Sequence, residues 1–147
     1  MTYQTSSAVR PTNAFVAASW ATLLIGLVSF AVGLWNSGLA KSEVGFYAAT
    51  MILGVFAGIS LQKSVRDKAE GLPVTVIYLG VAWAVVALSM IMMVAGLWNS
   101  GMTLSERGFY GLAFLMTLFA AVAVQKNVRD ALSATNGDGQ PVGQRTY

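Results

Sequence analysis

The chain of 147 residues contains no cysteine and no histidine. Without cysteine it forms no disulfide and offers no thiolate to a metal. Without histidine it lacks the commonest general base and metal ligand, and the one side chain whose ordinary pKa lies near neutrality. Charge is scarce too: Asp, Glu, Lys and Arg make up 10% of the residues, where soluble domains carry about 25%. None of these charges falls in 11–40, 44–62, 71–105 or 108–125. No basic patch interleaved with aromatic residues is present, which leaves nucleic-acid binding without support. Phosphate loops, zinc-protease motifs and serine–histidine pairs are missing as well, so neither catalysis nor a cofactor or metal is expected.

What fills the chain instead is apolar. Hydrophobic residues make up 56% of the sequence and its mean hydropathy is +0.64. Long uncharged apolar runs mark membrane-spanning helices. Four are expected, at about 14–34, 44–61, 74–97 and 108–124. The first run, at 1.5 Å per residue, reaches about 30 Å, the thickness of the hydrocarbon layer. It is read as an uncleaved span rather than a signal peptide, because no clear small-residue cleavage site followed by a soluble domain is seen. Residues 1–13 form a polar tail. From Ala131 the composition turns to Ser, Asn, Gly, Asp and Gln, so 131–147 is expected to be disordered.

The chain also repeats itself. Gly33-Leu34-Trp35-Asn36-Ser37-Gly38, Ser42-Glu43 and Gly45-Phe46-Tyr47 return 63 positions later as Gly96-Leu97-Trp98-Asn99-Ser100-Gly101, Ser105-Glu106 and Gly108-Phe109-Tyr110. At the same spacing Trp20 returns as Trp83, Gln62-Lys63 as Gln125-Lys126, and Val65-Arg66-Asp67 as Val128-Arg129-Asp130. A fixed displacement means two copies of one structural unit, here 14–70 and 74–130, separated by the helix-breaking Gly71-Leu72-Pro73. Each unit has two spans joined by a very short turn, which makes it an antiparallel helical hairpin. Seven of the nine cations lie in the segments on one side of the spans and two, Lys41 and Arg107, in the turns. That bias places both termini in the cytoplasm and the turns outside. The expected fold is therefore an all-α membrane protein of four transmembrane helices, built as two tandem parallel-repeat hairpins.

Each candidate site residue has a structural reading beside the functional one. Trp35 and Trp98, with Phe46, Tyr47, Phe109 and Tyr110, suit an interfacial aromatic belt but could also stack on a lipid. Asn36, Gly38, Asn99 and Gly101 read as helix stops, while Asn36-Ser37 and Asn99-Ser100 have the competing reading of polar ligands for a headgroup or small solute at the outer face. Ser42 and Ser105 read as N-caps with Glu43 and Glu106 in the first helical turn. The competing reading has the two carboxylates gathering cations at a pore mouth. Gly54 and Gly58 form a small-residue face for helix packing, within one bundle or between copies, matched weakly by Thr117 and Ala121 in the fourth span and repeated in spacing by Gly80 and Ala84 in the third. Lys63, Arg66, Lys126 and Arg129 form a basic rim that sets topology and could hold anionic lipid. Lys63–Asp67 and Arg66–Glu70 have helical ion-pair spacing. No ionisable side chain lies within a span, which disfavours a proton or ion-coupled carrier.

The paired two-helix unit, the Leu-Trp-Asn-Ser-Gly turn, the Glu-x-Gly-Phe-Tyr helix start and the Gln-Lys-x-Val-Arg-Asp exit together resemble the YiaA/YiaB family of small bacterial inner-membrane proteins, over about 11–130. With two units the chain is closer to four-span members than to shorter ones. The resemblance implies an integral inner-membrane protein, brings a stress-related role by association, and supplies no catalytic or ligand residues. The leading expectation is a non-enzymatic protein acting through helix–helix or lipid contacts, with the bilayer, a homo-oligomer or another membrane protein as partner. A small oligomeric permeation or export protein is the alternative.

Overall fold

A computed structural model describes residues 11–138, with side chains as far as Ala134. It contains four helices: α1 (Asn13–Asn36), α2 (Lys41–Ala69), α3 (Val76–Asn99) and α4 (Leu104–Asp138). All four are long and apolar enough to cross a membrane. Their starts are cut by hydroxyl caps where the sequence provides them. Thr12 accepts from the amide of Phe15 at 3.3 Å and Thr75 from that of Tyr78 at 3.2 Å. Each bond satisfies one of the free donors at a helix start. Gly71, at φ +76°, ends α2 in the left-handed conformation that glycine adopts without penalty. At the other end of the chain α4 continues through Asp138, past the point where composition predicts the tail to begin. Residues 1–10 and 139–147 lie outside the described residues.

The packing partners are not the helices that the short turns join. α1 and α2 barely touch, and α3 and α4 little more. Instead α1 lies against α4 and α2 against α3, while α2 and α4 meet at the centre. The order across the bundle is α1–α4–α2–α3. Each outer helix runs antiparallel to its partner from the other unit: Gly26 of α1 faces Thr117 and Gly33 faces Tyr110, just as Gly96 of α3 faces Tyr47. The central helices run parallel, with Tyr47 beside Tyr110, Gly54 beside Phe114 and Asp67 beside Arg129. The two units thus exchange halves about a pseudo-two-fold axis between α2 and α4.

Small residues explain why this exchange is favoured. Lipid offers apolar side chains as good an environment as a neighbouring helix does, so close backbone approach decides which helices pair. A Cβ added at Gly33 would lie 2.9 Å from a ring carbon of Phe109 and 3.1 Å from the Tyr110 hydroxyl. One at Gly96 would lie 2.6 Å from Phe46 and 3.3 Å from the Tyr47 hydroxyl. A Cβ at Gly26 would collide with Thr117 Oγ1. The core at this end, around Phe30, Leu34, Met51, Met93 and Phe114, closes over the same contacts.

Candidate functional site

The candidate residues gather at two ends of the bundle, one holding the turns and one holding most of the charges. At the turn end, both copies of the Trp-Asn-Ser stretch are helix terminators. Asn36 Nδ2 donates to the Val32 carbonyl and Asn99 Nδ2 to the Ala95 carbonyl, both at 2.8 Å. Ser37 and Ser100 hydroxyls donate to the carbonyls of Leu34 and Leu97, also at 2.8 Å. The serine bonds satisfy carbonyls that a helix end leaves free, while the asparagines fold their amides back onto the last full turn. Gly38 takes the left-handed conformation expected of a stop, at φ +65°. Gly101 does not, because there the chain leaves the helix through Ser100 in an extended conformation, ψ 153°. The second turn is held differently, with the Arg107 guanidinium donating to the Ser100 carbonyl at 2.8 Å.

Ser42 and Ser105 are not the N-caps that their position suggests. The caps lie two residues earlier in both copies, at Ala40 and Thr103. The glutamates three residues on reach back over the helix start: Glu43 Oε2 accepts from the Ala40 amide at 2.9 Å, and Glu106 Oε2 from the Thr103 amide at 2.7 Å and its hydroxyl at 2.8 Å. Thr103 Oγ1 accepts from the Glu106 amide at 3.3 Å, which completes a reciprocal capping box. Ala40 has no side-chain acceptor, so the first copy keeps only half of it. Both carboxylates are therefore engaged in capping.

The backbone bond from Thr103, followed by its hydroxyl bond, holds the Glu106 carboxyl below the ordinary glutamate range. A carboxylate whose folded-state pKa is depressed adds stability above its unfolded value, and that stability is lost as pH falls through the folded value. Below about pH 4, under the ordinary value for glutamate, the first turn of α4 should fray. Hydrogen exchange at the Glu106 and Arg107 amides should then speed up, while α1 and α3, capped by threonine hydroxyls, stay protected. Equal acceleration at all three helix starts would contradict the capping role.

The six aromatic candidates divide. Trp35 and Trp98 point outward, 89% and 78% exposed, as an aromatic belt requires. Phe46 and Phe109 are partly exposed. Tyr47 and Tyr110 are not belt residues at all: they are 2% and 3% exposed. Their rings stack across the pseudo-two-fold with centroids 6.3 Å apart, and their side chains lie within hydrogen-bonding reach of Ser100 and Ser37. Each tyrosine thus links a central helix to the turn of the other unit. A cavity of about 260 Å³ beside them is lined by Ser42, Glu43, Phe46, Gly96 and Asn99. Of its polar groups, Glu43 and Asn99 are engaged in the helix-end bonds just described.

A Cβ added at Gly54 would run into Phe114 and Leu118 of α4, and one at Gly58 would lie 3.7 Å from Val122, so both lie in the central α2–α4 contact. A Cβ added at Gly80 would meet nothing within 4 Å, so Gly80 supplies no packing face.

At the charged end the rim residues are largely paired. Arg66 reaches Glu70 at 2.7 Å on its own helix and Asp130 of α4 at 3.0 Å. Arg129 reaches back to Asp67 at 2.9 Å and Glu70 at 2.7 Å, and Lys126 meets Asp130 at 3.3 Å. Asp67 bonds Arg129 across the axis rather than Lys63 along its own helix. The guanidinium of Arg66 is raised further above its ordinary value by the Glu70 hydrogen bond, with Asp130 adding to it. Lys63 makes no ion pair among the described residues. Deeper in, Asn127 is buried and donates to Ser19 Oγ at 3.0 Å, tying α4 to α1. The crossed arginines and the tyrosine stack were missed from sequence. The fixed spacing of Arg66-Asp67 and Arg129-Asp130 was the available signal. Among the described residues no cluster of three or more His, Cys, Asp or Glu could hold a metal.

Comparison with known proteins agrees with this architecture. The yiaA/B two helix domain matches the chain twice, over 15–67 and 78–130. The inner membrane protein YiaA of Escherichia coli (strain K12) is 50% identical over 118 residues, which cover 80% of this chain and 81% of that protein. The membrane protein YubF of Bacillus subtilis (strain 168) is 40% identical over 62 residues, 42% of this chain and 71% of that protein. No solved structure matches.

Proposed function

This chain belongs to the yiaA/B two-helix domain family, and from that premise we propose that it is a non-enzymatic inner-membrane protein acting through helix–helix and lipid contacts, with both termini cytoplasmic. One observation carries the reading. The polar candidates are committed to the fold itself: Asn36, Asn99, Glu43 and Glu106 to helix ends, and Arg66 and Arg129 to the crossed pairs. What remains facing the surroundings is an apolar wall, including Ile52, Phe56, Ile91, Leu112 and Phe119, and a charged rim at one end. Surfaces of that kind meet lipid or other helices. A route for solute between the central helices is filled by Tyr47, Tyr110, Phe114 and Thr117, all buried. The orientation rests on the excess of cations at the end away from the turns.

Crosslinking in native membranes tests this reading, using a photoreactive group at Phe56 or Phe119. The expected result is a reproducible adduct to lipid or to one membrane-protein neighbour. Purified protein in liposomes should pass no ions or small solutes above the rate of empty vesicles. Flux that disappears in a Glu43→Gln, Glu106→Gln variant would overturn the reading in favour of an oligomeric pore. The resemblance adds a stress-related role, which a starvation-survival comparison between a deletion strain and its parent tests.

A further inference from the structure

Identity between the two units concentrates in two clusters. The turn-end cluster is explained by the glycine contacts and helix caps. The other contains Trp20/Trp83, Gln62-Lys63/Gln125-Lys126 and Val65-Arg66-Asp67/Val128-Arg129-Asp130. The crossed ion pairs account for the arginines and aspartates, but not for the tryptophans, glutamines and lysines. Those residues meet in two equivalent grooves.

One groove, of about 710 Å³, lies among α2, α3 and α4; Gln62 and Arg66 come from α2, Lys126 from α4 and Trp83 from α3. The second, of about 630 Å³, lies among α4, α1 and α2; Gln125 and Arg129 come from α4, Lys63 from α2 and Trp20 from α1. The pseudo-two-fold exchanges one set for the other. Apart from these polar groups, and Asp130 at the rim of the first groove, where it is ion-paired with Arg66 and Lys126, the walls are apolar, with Phe119 and Val122 in the first and Val55 and Ile59 in the second. Both volumes fall in the range of about 300–1,000 Å³ usual for small-molecule sites. Along α4 the first groove reaches from Lys126, just past the 108–124 run, to Leu118 near its middle, about 12 Å at 1.5 Å per residue and close to the roughly 15 Å depth of one leaflet's hydrocarbon. Each groove therefore runs from the charged rim to near the middle of the bilayer.

Two features of the mouths select an occupant. The lysines bring positive charge that the fold does not fully use: Lys63 has no ion pair among the described residues, and Lys126, 58% exposed, shares Asp130 with Arg66. The carbonyl oxygens Gln62 Oε1 and Gln125 Oε1 are both buried without a donor. A buried acceptor left unpaired is costly, so a native site of this kind normally receives a donor. A cation and an unfilled acceptor at the top of an apolar slot one leaflet deep call for an anionic phosphate headgroup that also carries a hydroxyl donor, with an acyl chain below it.

We propose that each groove seats one acyl chain of an anionic glycerophospholipid bearing a headgroup hydroxyl, a phosphatidylglycerol-type lipid. Its phosphate lies at Lys63 or Lys126 and its hydroxyl donates to Gln125 or Gln62. The proposal rests on the lipid-contact reading above and makes it specific in class, number and leaflet.

Native mass spectrometry of the full-length, delipidated protein tests it, with dioleoyl phosphatidylglycerol, dioleoyl phosphatidic acid, dioleoyl phosphatidylcholine and inorganic phosphate as probes. Two phosphatidylglycerol molecules should be retained per chain, each preferred about fivefold over phosphatidylcholine, the ratio that about 1 kcal/mol per lysine gives. Lys63→Gln and Lys126→Gln should each remove the preference at one site, and the double variant at both, with lipid-free melting unchanged. Gln62→Leu should narrow the preference over phosphatidic acid, which lacks the headgroup hydroxyl. Equal retention of phosphatidylcholine by the unmodified protein would overturn the proposal. So would an unaltered preference in the double lysine variant, or protection by inorganic phosphate equal to that by lipid. A failure here leaves any crosslinked protein neighbour in place, whereas solute flux through liposomes would defeat the broader reading without altering lipid retention.

Discussion

Gly96→Ile should lower the stability of the bundle by about 3 kcal/mol, near the upper end of what forcing extra carbons into a packed site costs. Even the first added atom would lie 2.6 Å from Phe46 and 3.1 Å from the Tyr47 ring. Tyr47 cannot swing aside freely, because it is stacked on Tyr110 and packed into the core. Gly33→Ile should behave in the same way against Phe109 and Tyr110. The two sites communicate through the stacked tyrosines, so the double variant should lose less than the sum of the singles. Gly80→Ala and Gly45→Ala, where a Cβ meets nothing within 4 Å, should be neutral or gain up to about 1 kcal/mol from helix propensity. Thermal unfolding in detergent compares the four. A Gly96→Ile protein as stable as Gly80→Ala would mean that α2 and α3 do not pack as described.

The second large effect is expected at the crossed arginines. Arg129→Ala removes the cross-helix partner of both Asp67 and Glu70, although Glu70 keeps Arg66 on its own helix. These side chains are neither fully wet nor fully buried, 27% exposed for the arginine and 18% for Asp67. The cost should therefore lie between the ~1 kcal/mol of an exposed pair and the 3–5 kcal/mol of a buried one, at about 2 kcal/mol. Asp67→Ala should cost less, since Arg129 keeps Glu70. A double-mutant cycle between these two positions should show coupling of about 1 kcal/mol that shrinks in high salt. Coupling near zero at low salt would remove the crossed pairs from the forces that hold α2 against α4.

Much of this architecture was legible in the sequence. Uncharged runs located the four spans, and the constant displacement of 63 residues exposed the duplicated unit. Trp35 and Trp98 could be placed on the outside because an indole suits the membrane boundary on its own account. The partner of each helix could not be read in that way. A short turn says that two helices are antiparallel, but the choice of neighbour depends on which small residues fit which rings, as Gly33 does beneath Tyr110. Tyr47 looks the same in sequence whether it faces headgroups or the axis between helices. The cap positions shifted for a local reason: Glu43 and Glu106 reach back three residues, so Ala40 and Thr103, rather than Ser42 and Ser105, begin the helices. Asp67 likewise had two arginine or lysine partners at plausible range, and the parallel central pair brought Arg129 closer.

The exchange of halves has an evolutionary corollary. In a polypeptide carrying just one unit, the glycine near the end of the first helix would have no matching tyrosine except its own, which sits on a helix it barely touches. Two such molecules could complete each other only by docking reciprocally, each lending its second helix to the other's first. Fusing the ancestral genes would then have turned a concentration-dependent partnership into a permanent one with fixed stoichiometry. It would also have freed the copies to diverge, as Ser64 and Asn127 now do at equivalent positions.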